Sequence, residues 1–161
     1  MSAIRTADVA ASWRTFDTAP PTLLGAYIAP PGVGCVPTGV GSWTSGYDCG
    51  AAGGLSWKVN WKGPPADQQA LVEDMLSKFE SRIRQVTIMP ALLRADPRPC
   101  RVLDWPATCV EVAARSSASH TADNRIVATA EPQGVQVVVV CDNNPSGDTV
   151  RPCAPVVELR P

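Results

Sequence analysis

Six cysteines, Cys35, Cys49, Cys100, Cys109, Cys141 and Cys153, carry most of the chemical potential of this 161-residue chain. A thiol can act as nucleophile, metal ligand or half of a disulfide. None of the six forms a C-x-x-C pair, so the sequence offers neither a tight zinc turn nor a thioredoxin-like redox motif. A catalytic thiolate needs a base beside it, and the chain has one histidine, His120. Disulfide formation is the chemistry that remains. Six cysteines permit fifteen pairings. Proximity favours Cys35–Cys49, Cys100–Cys109 and Cys141–Cys153, each closing a loop rich in turn formers. On the loop-entropy scale each bridge stabilises the fold by about 2–3 kcal/mol. Buried reduced cysteines are the alternative. It is weakened by the Pro, Gly and Asp residues flanking several of the six.

Other constellations are weaker. His120 lies near Ser117, Ser119 and Asp123, but a serine-hydrolase triad must converge from rigid elements onto an oxyanion hole. SSASHTADN reads as one polar loop without a G-x-S-x-G elbow. Asp142, Asn143, Asn144, Ser146 and Asp148 concentrate oxygen ligands, yet they do not fit the calcium-loop pattern. Their backbone preferences explain them as a turn. Trp43 and Tyr47 are the candidate ligand-binding aromatics, suited to stacking on a sugar ring. Trp57 and Trp61 alternate with Leu55 and Val59 and are assigned to core. No glycine loop has the lysine and helix of a phosphate site. No catalytic residue, metal site or cofactor is expected.

The elements that would position these residues follow from periodicity. Leu55–Lys62 alternates strictly and reads as a strand. A long helix runs from about Pro65 to Val86 or Ile88. Val72, Met75, Leu76, Phe79, Ile83 and Val86 form its apolar stripe. Arg101–Leu103 and Val110–Ala114 are short candidate strands. Arg125–Ala130 and Val135–Cys141 flank a type I turn at Glu131–Gly134. Val137–Val140 is apolar on both faces, so that strand should be central, covered by the helix on one side and by an arm or another subunit on the other. Pro155–Leu159 reads as a final edge strand.

Residues 1–54 read as an irregular N-terminal region and 55–161 as an α+β core, together one domain. A short helix is expected over Thr6–Arg14. Ala19–Gly54 is rich in Pro and Gly and reads as an extended arm. The expected fold is therefore one long amphipathic helix on a small, mainly antiparallel sheet, with an N-terminal arm and disulfides that pin loops rather than the core.

The net charge is −1 and the pI about 5.8, which removes the usual electrostatic footprint of a nucleic-acid binder. No apolar run has the roughly 20 residues of a membrane helix. Disulfides imply an oxidising destination, yet the first residues lack the apolar stretch of a signal peptide. Two explanations reconcile these: a leader has been removed, or the chain is a virion component oxidised after release, and the second is the more economical. The architecture resembles that of tail-terminator and connector proteins of tailed bacteriophages, a resemblance of shape only. Pilins share it but need an N-terminal apolar helix. The expectation is a non-enzymatic structural subunit of an extracellular assembly, such as a phage head–tail connector, tail terminator or other tail component. Its partners would be copies of itself and neighbouring subunits, with no nucleic acid or membrane. The alternative is a secreted binding module for carbohydrate or a surface ligand.

Overall fold

The computed structural model describes residues 28, 30–39, 44–60, 67–86, 91–115, 122–144, 152–153 and 157–159. The expected Thr6–Arg14 helix, Trp43, Trp61, His120, Ser146 and Asp148 lie outside them.

One antiparallel sheet dominates. Among the described residues it has nine strands: β1 (Val36–Thr38), β2 (Thr44–Asp48), β3 (Gly53–Asn60), β4 (Ala91–Arg94), β5 (Arg98–Val102), β6 (Trp105–Arg115), β7 (Ala122–Ala130), β8 (Gln136–Asn143) and β9 (Val157–Leu159). The order is β1-β2-β3-β8-β7-β6-β5-β9, with β4 also paired to β6. The single described helix, α1 (Gln68–Val86), packs on one face. The expected helix-on-sheet arrangement holds, but the sheet is not small and the helix is not the main element.

The helix begins where the Asp67 carboxylate accepts hydrogen bonds from the amides of Gln69 and Ala70, at 3.0 and 3.2 Å. This is a side-chain N-cap. Its apolar stripe sets Leu76, Phe79 and Ile83 against Val112, Ala114, Val127 and Val138. The far face of the sheet buries a second cluster that includes Leu55, Trp57, Val59, Ile126, Ala128, Val137 and Val139. Strand β8 lies between β3 and β7 and feeds both clusters through alternate valines. That is the physical reason for its unbroken apolar run.

Two expectations need correction. Part of the segment expected to be an irregular arm is strand. Val36–Thr38 and Thr44–Asp48 join the same sheet as the core strands, because backbone pairing outweighs the poor strand propensity of Pro and Gly. The disulfides also do more than pin loops. Cys35–Cys49 closes the β1–β2 pair, with Cα atoms 4.1 Å apart. Cys100–Cys109 links β5 to β6, with Cα atoms 5.8 Å apart. Both of its cysteines are buried in the far-face core. Cys141 and Cys153 are buried free thiols.

Strand β6 is longer than Val110–Ala114. Its first half pairs with β5 and its second half with β4. Strands β4 and β5 thus act as one strand interrupted at Ala95–Pro97, with the Ala95 amide bridging to the Glu111 carbonyl at 2.9 Å. The Arg94 guanidinium ties β4 to the helix through Glu73 and Glu80.

Candidate functional site

A groove of about 430 Å³ opens beside the C-terminal half of α1, over the helix-side face of β2, β3, β8 and β7. Strand alternation decides what lines it. Directly paired residues point to the same side of an antiparallel sheet. Asp48 pairs with Gly54, and Asp142 with Arg125. All four border the groove, with Ser56, Arg82, Asp123, Val140 and Asn144. One bordering residue, Gly53, must be glycine. A Cβ at Gly53 would meet the Asp142 carbonyl oxygen at 1.9 Å, and the residue takes φ of +113°. No side chain other than hydrogen fits there.

The charged groups form a network. Arg125 donates from Nε and Nη2 to the two Asp142 carboxylate oxygens at 2.6 and 2.7 Å. Its Nη1 donates to the Met75 carbonyl at 2.9 Å. Arg82 reaches the same carboxylate at 3.4 Å. Both guanidinium groups stand over the Phe79 ring, 5.2 and 5.5 Å from its centroid, within cation–π range. Arg125 and Asp142 are 14% and 16% exposed, so the pair is largely desolvated. Asp123 holds its proton more tightly than an ordinary aspartate. Burial pushes its carboxyl up, Arg82 opposes this, and Asp142 adds to it.

This arrangement suits recognition of a charged or polar group, by Arg82 for an anion or by Asp123 and Asp48 for a cation. No histidine or thiol lines the groove, so it holds no nucleophile–base pair of the cysteine or serine–histidine kind among the described residues. Nor does any group of three or more His, Cys, Asp or Glu side chains among them form a metal cage.

Tyr47 borders the groove, but its phenol turns to the other face. Its hydroxyl donates to the Ile28 carbonyl at 2.7 Å, and its ring lies 5.9 Å from that of Trp57. Asp142 is taken by two arginines, and Asn143 Oδ1 accepts from the Cys153 amide at 3.4 Å. These two oxygen ligands of the sequence cluster therefore already serve the fold. Arg82 and Arg125 carry no local motif, and Asp123 stands out in the sequence only beside His120, as part of a polar loop. Asp123 and Arg125 are two residues apart on β7, but Asp142 comes to Arg125 only through the β7–β8 register and Arg82 only through the packing of α1 on the sheet.

Beside the groove lies an apolar projection. Val36 pairs with Asp48 and therefore points to the groove side, with 60% of its surface exposed. Val33, just before it, is fully exposed. The Cys35–Cys49 bridge sits at the base of this strand pair.

No helix among the described residues is long and apolar enough to cross a membrane. The chain matches no protein-family model and none of the curated proteins at a significant level.

Proposed function

We propose that the protein is a non-enzymatic structural subunit of an extracellular assembly. The most specific form of this reading is a component of a bacteriophage virion at the head–tail connection or in the tail. One observation carries it: the exposed Val36 projects beside the charged groove from a strand pair locked by Cys35–Cys49. An apolar centre with a polar surround is the anatomy of a protein–protein contact. A covalent lock on a two-strand edge keeps that contact in shape outside the cell, where disulfides persist. Pro37 blunts the edge of β1 against indiscriminate strand addition, because it has no amide to donate. Specific side-chain docking on the groove side is thus favoured over backbone pairing.

The test is competitive incorporation. Val36→Asp changes an exposed side chain, so folding stability should stay within about 0.5 kcal/mol of the parent. The variant should be excluded from the native assembly when co-expressed with the parent chain. Equal incorporation would overturn the proposed contact.

A secreted binding module is the second reading, favoured by the groove's volume, which falls within the usual range for small-ligand sites. A glycan array separates the two. Binding abolished by Arg82→Ala would favour the module.

A further inference from the structure

We infer that Cys141 and Cys153 are a modification site, a buried dithiol that closes into a third disulfide and clamps the C-terminal crossover to the central strand. This stands independently of the assembly reading. The topology makes the crossover necessary. Strand β8 ends at Asn143, and β9 pairs with β5. In the sheet order β8-β7-β6-β5-β9, the chain after β8 must pass β7, β6 and β5 to reach its place. Cys153 lies within that passage and is buried in the far-face core with Cys141, Cys100 and Cys109. The crossover therefore runs over the far face at this point and helps to bury it. Its backbone is held there by the Cys153 amide, which donates to Asn143 Oδ1.

The two side chains are neighbours in the far-face core, and the Cys153 amide is tied to Asn143, two residues beyond Cys141 on the same strand, which sets the thiols side by side. Burial and the neighbouring Cys153 push the Cys141 thiol well above its ordinary range, so Cys141 is a poor first nucleophile. Cys153 is slightly exposed, at 5%, whereas Cys141 is at 0%. The order of events follows. The Cys153 thiolate attacks one sulfur of a low-molecular-weight disulfide and releases one thiolate. Cys141 then loses its proton, and its sulfur displaces the second thiolate from the mixed disulfide. Two protein thiols are oxidised and one external disulfide is reduced to two thiols. Both thiols are buried, so attack needs transient exposure of Cys153, and this bridge forms after the other two.

The test uses the full chain with glutathione disulfide, at denaturant below the unfolding transition. After acid quench, unfolding and alkylation, the expected result is loss of both alkylatable thiols. A non-reducing peptide map should show Cys141 joined to Cys153, with Cys35–Cys49 and Cys100–Cys109 retained. Cys141→Ser should trap a glutathione adduct on Cys153, whereas Cys153→Ser should leave Cys141 unmodified. Two thiols persisting in the parent chain, or either cysteine joined to a different partner, would overturn the inference. The map of the parent chain decides the matter even if a variant fails to fold.

Discussion

Arg125 and Asp142 are opposed on neighbouring strands and share two hydrogen bonds of 2.6 and 2.7 Å. The same guanidinium donates to the helix at Met75. One side chain thus joins β7, β8 and α1 and fixes the wall of the groove.

Removing the acid should cost more than removing the pair. Asp142→Ala leaves a desolvated guanidinium and should destabilise by roughly 3 kcal/mol. The double variant Arg125→Met, Asp142→Leu should recover most of that loss. Urea denaturation of both variants and the parent checks the difference.

Gly53 is fixed by its backbone and by its neighbour. Gly53→Ala combines φ of +113° with a collision against the Asp142 carbonyl. It should cost about 2–3 kcal/mol in urea denaturation. Gly50, at φ of +62° with nothing within 4 Å, should lose less on the same change.

The fold was legible where periodicity was strong. The stripe Leu76-Phe79-Ile83 and the valines of β8 mark the helix and the central strand, because burial imposes their spacing. Strands β1 and β2 were not legible. Pro37, Gly46 and the glycines nearby argue against strand, and only the pairing of β2 with β3 and of β1 with β2 overrides them. The β5–β6 turn was hidden for the opposite reason. Leu103 takes φ of 55°, where Gly or Asn would have announced the turn. The groove was barely legible: Asp123 and Asp142 stood out only within local polar clusters, and residues 48, 82 and 125, which share its lining, gave no local signal. Long-range register and helix packing, not local sequence, bring them together.

Asp123 gives the stability a defined pH dependence. Its folded-state pKa is raised above the ordinary 3.8. The protonated form is therefore favoured in the folded chain. Its contribution is fully present below the unfolded pKa and is lost as pH rises through the folded value. Asp123→Asn should match the parent in acid and exceed it in stability at neutral pH. Thermal melts across that range check the sign. A variant less stable than the parent at neutral pH would show that Arg82 dominates burial at this carboxyl.

Where the native protein resides tests the assembly reading most directly. Particles from the producing culture would be separated from free protein on a density gradient, and each fraction assayed for this chain by mass spectrometry. A structural subunit should co-sediment with the particles in fixed proportion to their other subunits. Finding it only among free monomers at the top of the gradient would contradict that reading.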